Sequence, residues 1–193
     1  MEMSEPTVRE QAIKVIKNRD RYSASDLYKA VFDLYHNSKE GDEELLYPLI
    51  EHEDNWVAAG ALYGLFEVYG YSKELRRLVL RLADGDSRDV GDHQLQFTAL
   101  SLLVKLAKEG DREAEDKLWE VAYNSNMPSS VTCEAWYRVA EVHGIEWKQG
   151  WTEQLVDDSF GQAANEIREH IQQEILRRGG WVPRHNSHGN GAN

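Results

Sequence analysis

Apolar residues recur along this chain at helical spacing, and the same stripe returns at a nearly constant interval. Three stretches carry it: NWVAAGALYGLFEVYG (55–70), HQLQFTALSLLVKLAKEG (93–110) and SVTCEAWYRVAEVHG (130–144). Anchored on Val57, Leu95 and Val131, the stripes continue with Ala61, Leu65, Val68, then Ala99, Leu103, Leu106, then Ala135, Val139, Val142. Offsets of four, eight and eleven residues stay on one face at 3.6 residues per turn, so each stretch predicts an amphipathic helix. An alanine at the second stripe position lets a neighbouring helix approach closely. Gly70, Gly110 and Gly144 close the three stretches, suiting left-handed C-caps. A weaker copy, SASDLYKAVFDLYHNS (23–38), places Leu27, Val31 and Leu34 on its stripe. With Ser23 as its anchor, the steps between copies are 34, 38 and 36 residues, the mark of a helical repeat array.

Shorter apolar helices precede the anchors. Residues 43–51 offer Leu45, Leu46, Leu49 and Ile50; 72–83 offer Leu75, Leu78, Val79 and Leu82 behind an N-cap at Ser72; 111–122 offer Ala114, Leu118, Val121 and Ala122. A first helix over 7–18 presents Val8, Ile13, Val15 and Ile16. At the far end, 152–158 and 161–178 form a closing pair, the latter with Ala164, Ile167, Ile171 and Ile175 inward. Strand signals are absent, so the fold is expected to be all-α, with residues 1–180 as one domain and 181–193 as a disordered polar tail.

The unit LLYPLIEHEDNWVAAGALYGLFEVYG (45–70) resembles a HEAT-type repeat: a first helix bent at Pro48, an acidic turn, then a Val-x-x-x-Ala helix ending on glycine. The resemblance extends over about residues 7–178, most strongly over 45–144. It implies an α-α superhelix, a short HEAT-like solenoid of about five helical hairpins. The family often has arginine directly after the valine; this chain has Ala58, Gln96 and Thr132 there.

Charge narrows the function. The net charge is −12, and the excess is distributed: residues 51–92 carry nine acids against five bases. Such a field repels phosphate and attracts basic proteins, so the expected partner is a basic protein rather than nucleic acid or a membrane. With one cysteine, Cys133, neither an intramolecular disulfide nor a cysteine-based zinc site is expected. The polar N-terminus and the lack of a long apolar run point to the cytoplasm.

Candidate chemistry is thin. The loop DGDSRDVGDH (84–93) concentrates Asp84, Asp86, Asp89 and Asp92. A helix–loop–helix cation site counted from Asp84 would need glycine at its sixth and glutamate at its twelfth position; Asp89 and Leu95 stand there. A solvated turn, with Asp92 capping the next helix, is the expectation. His52 reads as a solvated turn residue, and no H-E-x-x-H, P-loop or G-x-S-x-G occurs. Arg76, Arg77 and Arg81, flanked by acids, read as an ion-pair network.

The equivalent turns EHEDN (51–55), 84–93 and 123–130 would align as a ridge in a solenoid. The expected partner-binding set is therefore Glu51, Glu53, Asp54, Asp84, Asp86, Asp89 and Asp92, with the off-stripe aromatics Trp56, Trp136 and Tyr137. No catalytic residue, cofactor or metal is expected. The reading is a non-enzymatic protein-binding module, in its most specific form an acidic inhibitor or immunity protein that neutralises a basic, nuclease-type bacterial toxin. A scaffold for protein complexes, and a HEAT-like enzyme such as a chromophore lyase or DNA glycosylase, are the alternatives.

Overall fold

The computed structural model describes residues 5–70, 72–89, 91–157 and 161–183, and among these there is no strand. The protein is all-α. Among the described residues ten α-helices follow one another: α1 Val8–Lys17, α2 Ala24–His36, α3 Glu43–Leu46, α4 Asn55–Tyr69, α5 Lys73–Leu82, α6 Gln94–Lys108, α7 Arg112–Tyr123, α8 Ser129–Val142, α9 Trp151–Val156 and α10 Gly161–Arg177. Their contacts gather into two compact units, Met1–Leu102 and Leu103–Asn193, so that α6 begins in the first and ends in the second.

Local sequence sets the helix starts. Thr7 and Ser23 form capping boxes with Glu10 and Asp26, each hydroxyl accepting an amide N–H while the carboxylate reaches back to the cap. Asp54, Ser72 and Asp111 cap α4, α5 and α7 with single side chains. The helix expected over 43–51 changes character midway. It is α-helical to Leu46 and 3-10 over Tyr47–Glu51, because Pro48 removes a donor and crowds the preceding turn.

In the first unit, α4 lies against α2, α3 and the Tyr47–Glu51 turn. It is apolar on nearly every side, as a helix packed from several directions must be: Val57, Ala58, Ala61, Leu62, Leu65 and Phe66 are all buried. Two glycines set its distance from α2. A Cβ on Gly60 would sit 3.3 Å from the Tyr28 ring, and one on Gly64 would sit 3.2 Å from Tyr35 Cβ. Elsewhere in the unit, buried Asp42 accepts from Arg9 Nε (2.8 Å) and from the Lys39 amide (2.9 Å). The second unit pairs α7 with α8 and then adds α9 and α10. Ala164, Ile167, Ile171 and Ile175 face inward on α10 as expected.

The stripe of α6 is buried throughout, from Leu95 to Leu106. Its counterparts miss at their ends. Val68 is exposed at the end of α4, Val142 and Leu78 are half-buried, and Val8 is exposed while Ala12 and Ile16 carry the inner face of α1. Asp158 and residues 184–193 of the expected tail lie outside the described residues. At the start of that tail, Trp181 holds its ring 3.9 Å from the Arg112 guanidinium, a cation–π contact.

Gly64→Ala tests the close approach of α2. In an open helix this change stabilises by about 1 kcal/mol. Here the added methyl meets Tyr35 near its own backbone, where a rotamer change gives no relief, and the variant is expected to lose about 1 kcal/mol instead. A higher melting temperature in calorimetry would contradict the packing described.

Candidate functional site

Two neighbouring features of the first unit stand out, linked where Trp56 Nε1 donates to Asp92. The first is a knot centred on Arg88. Its Nε and Nη2 donate to the two carboxylate oxygens of Asp86, each at 2.8 Å. Its Nη1 donates to the carbonyls of Ile50 (2.9 Å) and His52 (3.2 Å), across to the other turn. Asn55 Nδ2 returns the link by donating to the Arg88 carbonyl at 2.8 Å. Glu51 lies near the same guanidinium at 3.7 Å and near Arg81 at 3.8 Å. The turns 51–55 and 84–93 are thus brought together, with an arginine at their centre.

That arrangement changes the expected roles. Asp86 is bound into the bidentate pair, and the Arg88 guanidinium holds its carboxyl down to about 2. Asp89 is buried, and its oxygens accept from the amides of Gln96 (2.7 Å) and Leu95 (3.3 Å), so it caps α6 from within the loop. Asp92, expected to be that cap, reaches only the Gln94 amide at 3.4 Å and otherwise accepts from Trp56 Nε1 at 3.2 Å. Asp54 caps α4, and His52 Nδ1 accepts from the Asp54 amide at 3.0 Å. Of the acids expected to face a partner, Glu51, Glu53, Asp84 and Asp92 are exposed. Among the described residues no cluster of metal-ligating side chains occurs.

The second feature is an aromatic groove of about 230 Å³ where α2, α4 and the start of α6 meet. Tyr28, Phe32 and Tyr35 project from α2 at helical offsets of four and seven, beside the buried Leu27, Val31 and Leu34. Trp56 and Tyr63, seven residues apart, face them from α4, and Gly60 leaves open the space between. Tyr28 meets Trp56 edge to face at 6.2 Å, and Tyr35 meets Tyr63 in the same way at 6.2 Å. Gln94 and Thr98 supply the polar edge, the Thr98 hydroxyl donating to the Gln94 carbonyl. These rings are only partly packed: Phe32 keeps 49% of its surface exposed and Trp56 48%.

Trp136 is a correction. Expected at the surface, it is fully buried in the second unit, perpendicular to Trp119 with ring centres 5.6 Å apart. Tyr137 is half-buried, edge-on to Trp147. Cys133 is buried with Sγ 3.9 Å from the Thr152 carbonyl, and burial pushes its thiol up to about 11, so it is a protonated packing residue at neutral pH. No helix among the described residues is long and apolar enough to cross a membrane. Compared with family models, with curated proteins and with solved structures, the chain gives no match.

The depressed Asp86 carboxyl carries a pH signature. A carboxylate held below its ordinary 3.8 favours the folded state above that value, and the contribution fades as pH falls toward about 2. Asp86→Asn is therefore expected to destabilise the protein by about 1–3 kcal/mol at neutral pH. Its deficit against the parent should shrink in denaturant melts between about pH 5 and pH 2. A deficit independent of pH would remove the charged pair from the account.

Proposed function

We propose that the chain is a non-catalytic protein-binding module whose working surface is the α2–α4–α6 groove with the exposed acids beside it. One observation carries this reading: aromatic side chains from two helices stay exposed around a single recess while aliphatic residues fill the core next to them. Contiguous exposed apolar surface marks interaction sites, and tyrosine and tryptophan are the usual anchors of such sites. The net charge of −12, together with exposed Glu51, Glu53, Asp84 and Asp92, favours a basic partner.

In its most specific form the module is an inhibitor, an immunity-type protein that neutralises a cationic nuclease toxin in the bacterial cytoplasm. An acidic surface both speeds encounter with such an enzyme and occupies the basic cleft that would hold a phosphate backbone. The paired helices and their recurring stripe favour a HEAT-like origin for this surface.

The test is association with cationic nuclease domains, followed by interferometry. The on-rate is expected to fall at least tenfold between about 50 mM and about 500 mM salt, as screening shortens the reach of the acidic field. Trp56→Ala and Phe32→Ala are each expected to weaken the complex at least tenfold, about 1.4 kcal/mol. Salt-independent association, or full affinity in both variants, would refute the reading.

A further inference from the structure

A separate recess in the second unit is lined by two residues whose buried hydrogen-bond donors have no acceptor among the described residues. It has a volume of about 320 Å³ and lies among the α7–α8 turn, the first half of α8, Leu155 of α9 and Arg168 of α10. Among the described residues no carboxylate lines it, in a chain that holds 34 aspartates and glutamates. Its charged group is Arg168, whose Nε is buried with no partner; the nearest bond of that guanidinium is a long one, Nη1 to Asn165 Oδ1 at 3.4 Å. Trp136 also lines the recess. It is fully buried, and its indole N–H likewise has no acceptor among the described residues.

The backbone adds to the same corner. Helix α8 starts after Pro128, and no side chain caps it, unlike α4, α5 and α7. The Val131 and Thr132 amides donate to the Pro128 carbonyl, which leaves the Ser129 and Ser130 amides at the positive end of the helix dipole. Ser129 and Thr132, one turn apart, stand beside these amides at the recess. Gln172, one turn beyond Arg168 on α10, donates to Tyr123 Oη at 2.7 Å and so fixes α10 against the end of α7. Buried donors are rarely left unmatched, because an N–H stripped of water and given no acceptor is costly. Two such donors from different helices, one of them cationic, share the recess with an uncapped helix start, and a negatively charged acceptor matches all three.

We infer that this recess is a binding site for a small oxyanion, a carboxylate or phosphate group, held by Arg168, the Trp136 indole N–H and the amides that open α8. The guanidinium edge and the indole N–H supply directional bonds to separate oxygens, while the helix start supplies the remaining donors. The site is distinct from the aromatic groove and does not depend on what binds there.

Indole N–H resonances of the full-length protein provide the test, with inorganic phosphate and acetate as probes and chloride as the control at equal ionic strength. The Trp136 signal, assigned by its loss in Trp136→Phe, is expected to shift saturably with phosphate, with acetate or with both. The tighter of the two identifies the class of ligand. Arg168→Met should weaken that response at least tenfold. Should Arg168→Met fail to fold, Trp136→Phe, which keeps a ring in the core, must show weakened binding through the remaining indole signals. A Trp136 signal that neither oxyanion moves, or that chloride moves equally, would overturn the site. So would undiminished binding in folded Arg168→Met.

Discussion

The first unit depends on how near α2 can come to α4. Gly60 and Gly64 leave no side chain at the crossing, so α2 settles where a methyl group would already be too close. At that separation the aliphatic residues of α2 fill the interface completely. The adjoining row of Tyr28, Phe32 and Tyr35 then has no room beneath it and lies across the glycine floor toward Trp56 and Tyr63. The exposed aromatic surface thus adjoins the close contact of the two helices, and Gly60 lines both.

Electrostatics adjusts this frame more than it builds it. The loop 84–93 has four aspartates, and folding gives them unequal fates. Asp86 is absorbed by Arg88, Asp89 goes inside to satisfy helix amides, and Asp84 and Asp92 keep their solvent exposure. The negative ridge is therefore sparser than a count of acids suggests. It is also more rigid, because one guanidinium joins two carbonyls of the preceding turn to a carboxylate of its own loop.

Periodicity alone located the helices well. The α6 and α10 stripes were readable in full because those helices bury one broad face. Terminal positions such as Val8 and Val68 were not, since a stripe does not say where the partner helix ends. Trp136 misled because the inner face of α8 is wider than four stripe positions: Cys133, Trp136 and Ala140 are buried beside Val131, Ala135 and Val139. One side of the groove was legible, in the off-stripe Trp56. The other side had a signal that the aliphatic stripe masked, a second row on α2 made entirely of aromatics. Arg88 stands among the four aspartates of its loop with no periodicity to mark it, yet it organises the loop. Arg168 had no signal at all, because its meaning comes from meeting α8 in space.

The lone buried thiol of Cys133 gives the second unit an internal clock. With its sulfur beneath the α9 carbonyl of Thr152 and its proton held at neutral pH, a disulfide reagent can react only during excursions that lift this packing. Every other position in the sequence is silent to such a reagent. The pace of modification, measured against an exposed thiol, therefore counts openings of this one neighbourhood and separates its fluctuations from those of the rest of the chain.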